Sequence, residues 1–576
     1  MRFQSRSTRI FTAAAVALAC VVTWSAQLSP AAARSEAAPS DRPAFADKIY
    51  VNGKFWTGRA DAPHAEATAL SGEHIIATGT TAEISALRAA KTQVIDLAGA
   101  FVVPGFIDNH VHFISGGIAL QQVDLRDART PAEFSSRIAA AAKARPGRWI
   151  TDGNWDHQLW GGTLPTRDWI DRETPKSPVF VSRLDGHMAL ANSLTLKLAG
   201  ITATTPDPEG GVIVRDKDGR PTGILKDGAL DLVTKVMPAP SDADMDEALA
   251  KATDYALRRG VTQIHDLGIG TGEWRSLETY RRALADNRLR LRIYSFVPLA
   301  DSQRLATYVK ANGHGSDWLR WGGLKGFVDG SLGSGTAWFH APYTDAPGTS
   351  GITMLEPDSL YKRIEAADGA GLHVAVHAIG DRANDWLLDA YAKIEAAHGP
   401  RDRRFRIEHA QHLTQAAIAR FKPLGVIASM QPYHAIDDGR WAEKRIGTER
   451  LKGTYAFRSL LDAGAHLTFG SDWPVAPMDP LIGIYAAVTR RTIDGANPGG
   501  WRPEQKISVA EALRAYTSEN AYAGYQEHSL GVIAPGYLAD FVVLSRSLFD
   551  TDPVDIPTIK VLRTVIGGRD EFVATR

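Results

Sequence analysis

The chain has 576 residues, of which 44% are hydrophobic and 23% are charged, and its formal net charge is zero. It is too long for one ordinary domain, and its composition is that of a globular protein. The balanced charge gives no support for a nucleic-acid partner or for binding to an acidic membrane surface. The expected partner is a small-molecule substrate, and the sequence is also compatible with a homodimer.

The amino terminus has the pattern of a secretory signal peptide. Arg2, Arg6 and Arg9 precede an apolar stretch over residues 10–24, and three alanines at 31–33 offer a cleavage site. We predict a signal peptide over residues 1–33 and an exported protein, periplasmic or extracellular, without stable membrane association after cleavage. An uncleaved membrane anchor is the alternative, although the apolar stretch is short for a bilayer span.

Cys20 is the only cysteine and lies inside the predicted signal peptide. A chain cleaved near Ala33 would have no disulfide and no thiol chemistry. Any metal site in the mature protein must then use histidine, carboxylate or lysine-derived ligands.

Short apolar runs alternate with segments of helical periodicity through most of the chain. This alternation favours a parallel sheet with helical crossovers, and eight such units suggest a (β/α)8 TIM barrel. A doubly wound open sheet is the rival within the α/β class. The eight predicted strands are 101–107, 261–265, 291–296, 324–328, 373–377, 405–408, 426–430 and 466–469.

The two ends of the chain differ from the middle, because they contain short strand patterns joined by turns. We predict that residues 46–100 and 528–576 form one small β-sandwich domain and that 101–527 form the barrel. The segment 127–237 is too long for an ordinary strand-to-helix loop. We interpret it as an insertion after the first barrel strand.

His110 and His112 follow the first predicted barrel strand and are the most informative pair in the chain. On a strand, residues i and i+2 point to the same side, so both imidazoles could reach one metal ion. Imidazole suits zinc and similar divalent metals. Such pairs also arise by chance, so the interpretation depends on ligands from other strands.

Four further strand ends carry side chains that suit a metal centre: Lys325, His377, His409 and Asp472. Each alone has an ordinary explanation, such as a buried histidine, a solvated lysine or a helix-capping aspartate. Together these explanations fail, because independent structural roles do not predict polar groups at five of eight apolar strands. In a parallel barrel, catalytic residues collect at the carboxyl ends of the strands.

The motifs that carry these residues resemble those of the amidohydrolase superfamily. They include Pro-Gly-Phe-Ile-Asp-Asn-His-Val-His at 104–112, Ile-Glu-His-Ala-Gln at 407–411 and Gly-Ser-Asp-Trp-Pro at 470–474. Segments 328–333 and 377–381 also match. The chain resembles most the group with the third type of amidohydrolase domain, which contains N-substituted formamide deformylase, over residues 49–566.

The resemblance implies a role for each candidate residue. His110, His112 and Asp472 would bind one divalent metal ion, His377 and His409 a second, and Lys325, as a CO2-derived carbamate, would bridge them. One or two Zn²⁺ ions are expected. Zinc lowers the pKa of its water to about 7 and polarises a carbonyl oxygen. Asp472 would be the general base and would return the proton to the leaving nitrogen.

The segment containing Asp185 and His187 resembles a family segment near the active site, and we predict both as substrate-binding residues. The implied activity is hydrolysis of a carbon–nitrogen bond in a non-peptide amide, a formamide or an N-acyl group. An esterase or lactonase on the same site differs only in its leaving group. A non-catalytic barrel kept as a binding protein is the alternative from a different class, since fold alone does not fix function.

Overall fold

The amino-terminal part of the chain is built from short strands. The computed structural model describes residues 45–183, 188–208, 211–268, 273–333 and 335–575. The predicted signal peptide lies outside these ranges. The elements before the barrel are β1 (Ala46–Val51), β2 (Lys54–Trp56), β3 (His64–Ala65), β4 (Ala67–Ser71), β5 (His74–Gly79), α1 (Thr81–Ser85), β6 (Arg88–Asp96) and β7 (Phe101–Pro104).

The first barrel strand is followed by a helix and then by a separate insertion. The barrel elements are β8 (Phe106–Val111) and α2 (Phe113–Ala119). The insertion forms a five-stranded sheet in the order β12-β13-β11-β10-β9. Its elements are α3 (Pro131–Ala144), β9 (Ile150–Trp155), β10 (Val179–Arg183), β11 (Met188–Ala191), α4 (Ser193–Leu198), β12 (Gly211–Arg215), β13 (Pro221–Asp227) and α5 (Asp231–Thr234).

The barrel continues with regular alternation of helices and parallel strands. Its eight strands follow one another from β8 to β20 in one parallel sheet. The elements are α6 (Asp242–Leu257), β14 (Val261–Asp266), α7 (Glu273–Ala285), β15 (Arg292–Pro298), α8 (Ser302–Asn312), β16 (Leu319–Phe327), α9 (Pro357–Gly369), β17 (His373–Ala378), α10 (Asp381–His398), β18 (Arg406–His409), α11 (Gln415–Ile418), β19 (Ile427–Met430), α12 (Pro432–Asp438), α13 (Ala442–Arg450), α14 (Phe457–Asp462), β20 (His466–Phe469), α15 (Pro480–Thr489), α16 (Val509–Ala515) and α17 (Ser518–Ala523).

The last and first barrel strands meet at their carboxyl ends. The Asp472 amide donates to the His110 carbonyl at 2.7 Å, and the His112 amide donates to the Trp473 carbonyl at 2.8 Å. These bonds bring the polypeptide after β20 against the polypeptide after β8. The predicted (β/α)8 TIM barrel is therefore confirmed, and the open-sheet alternative is not.

The carboxyl-terminal tail returns to the amino-terminal strands, as predicted. Its strands are β21 (Phe541–Leu544), β22 (Val561–Ile566) and β23 (Arg569–Val573). They form a six-stranded sheet in the order β23-β22-β21-β7-β2-β3, beside a four-stranded sheet in the order β5-β4-β1-β6. The two ends of the chain thus share one small β domain.

The predicted first barrel strand, 101–107, is wrong in one respect. Residues Phe101–Pro104 pair with β2 and β21 and belong to the small β domain, so the barrel begins at Phe106 rather than at 101. Gly105 separates the two strands, and a Cβ there would lie 2.2 Å from Thr262 Oγ1. The apolar run is continuous because both strands are buried, which concealed the break in the sequence.

Apolar side chains between the barrel strands and the surrounding helices form the main core. Capping boxes at Ser241 and Ser508 start α6 and α16, where each serine side chain accepts from the third helical amide. Within the described residues, no helix has the length and apolarity needed to cross a bilayer.

Candidate metal centre

The six predicted ligands line one cavity at the carboxyl ends of the barrel strands. The cavity has a volume of about 470 Å³ and also exposes His434, Trp441 and Val475. The six residues come from five different strands or the loops that follow them, so the barrel closure is what brings them together. They are His110, His112, Lys325, His377, His409 and Asp472.

His110, His112 and Asp472 form the tightest group. Asp472 Oδ1 lies 3.0 Å from His112 Nε2 and 3.4 Å from His110 Nε2. One nitrogen or oxygen of each residue lies within 4.8 Å of the others, a spacing at which one metal ion could contact all three. His110 is fully buried, and its Nε2 has no hydrogen-bond partner.

His409 lies between the first group and the far wall of the cavity. Its ring centroid is 4.9 Å from that of His110 and 4.5 Å from that of His377. Its Nδ1 lies 2.8 Å from Gln431 Oε1, which leaves Nε2 for another contact. The Nε2 of His377 lies 3.0 Å from the Gly330 carbonyl, so only its Nδ1 is available to a ligand.

The sequence analysis assigned no ligand role to His434, but the structure brings it into the cluster. Its Nε2 is buried without a hydrogen-bond partner and lies 4.0 Å from Asp472 Oδ2. His409, His434 and Asp472 form a second group whose ligand atoms lie within 4.8 Å of one another. The residue lies on α12, near the end of a barrel strand, where the sequence indicated a supporting or pocket role rather than a ligand.

Lys325 is a buried lysine without an acidic partner. It is 4% exposed, and within the described residues its Nζ has no hydrogen bond and no carboxylate within 4.0 Å. Its Nζ lies 5.0 Å from the centre of the Phe327 ring. Burial lowers the pKa of Lys325 to about 8, although the charges of Glu408 and Asp472 oppose the shift.

Two of the candidate ligands sit in backbone conformations that non-glycine residues rarely adopt. His409 has φ of 75° and Asp472 has φ of 61°. Left-handed backbone at such residues costs about 1–3 kcal/mol and is concentrated at functional sites. The turn at His409 also ends the strand alternation, so that Glu408 and His409, although adjacent, both contact His110.

Glu408 was not predicted from the sequence as a site residue, and its side chain holds His110 in place. Glu408 is fully buried, and its Oε2 lies 2.6 Å from His110 Nδ1. Arg406 Nε donates to Oε1 at 2.7 Å, and Ser429 Oγ donates to Oε2 at 2.6 Å. Arg406 and Glu408 are charged residues two positions apart on a short apolar strand, so both point into the barrel. This spacing is the sequence signal from which the role of Glu408 could have been predicted.

Burial keeps the imidazoles of His110, His377 and His409 neutral at neutral pH. Burial and the charge of Lys325 lower the pKa of His110 to about 4 and that of His377 to about 3. Burial and neighbouring His377 lower the pKa of His409 well below its usual range. Neutral imidazoles keep the lone pair that a metal ion needs.

The carboxylate of Asp472 is held in its ionised form. Burial would raise its pKa, but the imidazoles of His110 and His112 hold the pKa well below its usual range. Buried imidazole nitrogens without partners beside an ionised carboxylate fit a divalent metal ion of the kind that histidine and aspartate bind.

The predicted substrate residues Asp185 and His187 lie outside the described residues, so they remain predictions. They would follow β10, the second strand from one edge of the insertion sheet.

A parallel (β/α)8 barrel with histidines and an aspartate converging at the carboxyl ends of its strands defines the class of metal-dependent barrel hydrolases. The sequence model of the amidohydrolase family matches residues 93–570. This chain belongs to the amidohydrolase family.

Comparison with individual proteins agrees with this assignment. The chain is 43% identical to the protein LONG AFTER FAR-RED 3 of Arabidopsis thaliana, covering 92% of each chain. It is 30% identical to N-substituted formamide deformylase of Arthrobacter pascens, covering 91% of this chain and 97% of that enzyme. The structure of an uncharacterized metal-dependent hydrolase from Pyrococcus furiosus superposes with a TM-score of 0.73 at 31% identity, covering 87% of this chain and 100% of the other.

Proposed function

We propose that this protein hydrolyses a non-peptide carbon–nitrogen bond, in a formamide or another N-acyl amine, with a divalent metal ion as cofactor. The observation that carries the proposal is the convergence of His110, His112 and Asp472, with ligand atoms within 4.8 Å of one another, on a cavity of about 470 Å³. A cavity of this size suits a small molecule. The 30% identity to N-substituted formamide deformylase supports this substrate class.

The family resemblance, together with the lining of the cavity, supports a set of residues that would hold the metal. His110, His112 and Asp472 would bind one ion, and His377 and His409 a second, with zinc as the metal that best suits this donor set. When bound, the metal would lower the pKa of a water molecule and polarise the substrate carbonyl.

Asp472 would act as the general base. Its carboxylate is ionised and already hydrogen-bonds within the cluster, so it can accept a proton from the attacking water. The water oxygen adds to the carbonyl carbon, the carbon–nitrogen bond breaks, and the proton passes from Asp472 to the leaving nitrogen. The products are a carboxylic acid and an amine.

Lys325 would be present as a carbamate. The ammonium group first loses one proton, and the neutral amine then adds to CO2 and releases a second proton, so that a cation is replaced by an anion. A buried ammonium group without an ion pair is costly beside a metal site, whereas a carbamate offers two anionic oxygens to the metals. The burial of Lys325 and its lack of an acidic partner support this modification.

The sequence pattern at residues 1–33 supports export, so we place the reaction outside the cytoplasm. This part of the proposal can be tested separately by locating the protein in cell fractions and sequencing its mature amino terminus.

The experiment is a metal analysis of the purified protein combined with a hydrolysis panel. The panel contains N-substituted formamides and N-acyl amino acids, with esters and lactones of matched acyl groups. We expect amide turnover that is lost on chelation and restored by Zn²⁺. Turnover of esters or lactones alone would overturn the proposed bond class. Full metal content without turnover of any substrate would favour a binding protein.

A further inference from the structure

A second polar cavity lies at the opposite end of the barrel from the metal centre. It has a volume of about 260 Å³ and is lined by residues at the amino-terminal ends of β16, β17 and β18. Three of its lining residues are arginines, Arg320, Arg401 and Arg403. The sequence analysis singled out none of these residues, and the proposed hydrolysis does not use them.

Arg320 is a cation without a counterion. It begins β16, and within the described residues its side chain has neither a hydrogen bond nor an ion pair. Its Nε is buried without a partner, and its guanidinium lies 5.9 Å from the centre of the Tyr294 ring. A buried donor without an acceptor is unfavourable, and the rest of this part-buried guanidinium faces the cavity, so the position suits an acceptor that the described chain does not supply.

A bulge in β16 allows the side chains of Arg320 and Lys325 to point to the same, inner face of the barrel. Ser295 pairs with Trp321 and Phe296 pairs with Gly323, so Gly322 is an extra residue in the strand. Its φ of 122° suits glycine and is strained for other residues. On a regular strand, residues an odd number of positions apart, such as these two, point to opposite faces. The extra residue brings them to the same face, so one strand carries Arg320 at one end of the barrel and Lys325 at the other.

Arg403 adds a second unsatisfied donor. Its side chain is 8% exposed, and its Nε donates to Asp368 Oδ1 at 2.9 Å. Asp368 also pairs with Arg401, so one carboxylate serves two arginines. The Nη1 of Arg403 is buried without a partner.

The carboxylate in the cavity lining already has a hydrogen-bond donor of its own. Asp402 lines the cavity, but both its oxygens accept from Arg404, at 2.8 to 3.0 Å. The arginine side chains therefore give the lining an excess of positive charge. Coulomb attraction in such a partly enclosed space favours an anion.

Two histidines, His314 and His373, also line the cavity. Burial and the charge of Arg406 lower the pKa of His373 to about 3, so it is neutral near pH 7. Its Nδ1 lies 3.1 Å from Tyr294 Oη and its Nε2 lies 2.9 Å from the Arg404 carbonyl, so both nitrogens are occupied. Tyr525, Leu372 and two glycines, Gly322 and Gly371, complete the lining.

We propose that this cavity binds a compact oxyanion, a phosphate or carboxylate group of a small molecule, with Arg320 and Arg403 as its main donors. The planar guanidinium group can donate two parallel hydrogen bonds to a carboxylate or to a phosphate, and charge-assisted hydrogen bonds are stronger than neutral ones. The site is independent of the proposed hydrolysis, because its residues lie at the other end of the strands.

The test is calorimetric titration of the full-length protein with inorganic phosphate and, separately, with acetate, at an ionic strength kept constant with chloride. We expect saturable binding in the wild-type protein and a loss of about tenfold or more in affinity for Arg320→Gln. Arg363→Gln, which changes an exposed arginine on α9 outside the cavity, is the matched control and should bind as the wild type does.

Phosphate and acetate can also reach a metal centre, and the variant separates the two sites. If binding is unchanged in Arg320→Gln, the anion binds at another site and the proposal is overturned. The absence of saturable binding in the wild-type protein would also overturn it. Tighter phosphate than acetate binding would identify a phosphate site, and the reverse a carboxylate site.

A second variant covers the case in which Arg320→Gln fails to fold, as judged by circular dichroism. Arg320→Lys keeps the charge but not the planar fork, so it should retain weakened binding. The anion should also raise the melting temperature of the wild type more than that of Arg320→Lys. Equal shifts in the two proteins would contradict the role of Arg320.

Discussion

The Glu408 carboxylate lies 2.6 Å from His110 Nδ1, and both side chains are fully buried. Because Glu408 is held ionised, the proton of the His110 ring stays on Nδ1, and the lone pair of Nε2 points to the cluster around Asp472. Burial would raise the pKa of Glu408, but the charge of Arg406 and the hydrogen bond from His110 hold that pKa well below its usual range. Carboxylates behind metal-binding histidines fix the ring and its tautomer in this way.

We predict that Glu408→Gln weakens metal binding by about 10- to 100-fold. The amide is a poorer acceptor for the His110 N–H and no longer neutralises Arg406. The measurement is metal affinity by competition with a chelator, with Glu449→Gln on the surface as the control. An unchanged affinity in a folded Glu408→Gln protein would contradict the positioning role.

We predict that Asp472→Asn nearly abolishes turnover while the protein stays folded. An amide of the same shape cannot accept the water proton, and loss of a general base typically reduces turnover by about 10²- to 10⁴-fold. The measurements are turnover on the best substrate of the panel, metal content and the thermal melt. The control is Asp550→Asn, a change at an exposed position, which should retain full activity. Full activity of Asp472→Asn would contradict the proposed role of Asp472.

For Lys325, we predict a carbamate that can be seen directly. Protein equilibrated with ¹³C-bicarbonate and metal should show a carbamate carbon signal by NMR, and Lys325→Met should lack it. The variant should also hold less metal, because it would lack the two carbamate oxygens that would help to hold the metal. A metal-loaded wild-type protein without the signal would argue for an unmodified lysine.

We predict that Asp540→Asn destabilises the joint between the small β domain and the barrel. Asp540 accepts from Arg292 Nε at 2.7 Å and from Nη2 at 3.0 Å, and the Arg292 side chain is fully buried. Removing one partner of a buried ion pair leaves an uncompensated charge and costs about 3–5 kcal/mol. The midpoint of urea unfolding should fall accordingly, whereas Asp550→Asn should leave it nearly unchanged.

We predict that Glu511→Gln reduces the loss of stability in acid. Burial would raise the pKa of Glu511, but hydrogen bonds from Arg458 and the Ser508 cap lower it from 4.5 to about 2. The carboxylate therefore stabilises the fold above about pH 4.5, and this contribution disappears as the pH falls through about 2. Unfolding midpoints across this range should vary less in the variant, and an identical pH dependence would contradict the assignment.

The strand pattern and the strand-end residues could be predicted from the sequence because they are local. Alternation of apolar runs and helical periodicity reports which face of each element is buried, and this depends only on neighbouring residues. His110 and His112 are two residues apart, so their common direction follows from strand geometry. The boundary at Gly105 was missed because both flanking strands are buried and apolar.

By itself, the sequence determined the barrel class, the small β domain and the six side chains at the strand ends. Tertiary structure alone decided that Glu408 supports His110, that His434 lies beside Asp472 and that Arg320 lacks a counterion among the described residues. These relationships join residues that are distant along the chain, as with Glu408 and His110, which are 298 positions apart. Local periodicity carries no record of such distances, because they arise only when the barrel closes and fixes which strand ends face one another.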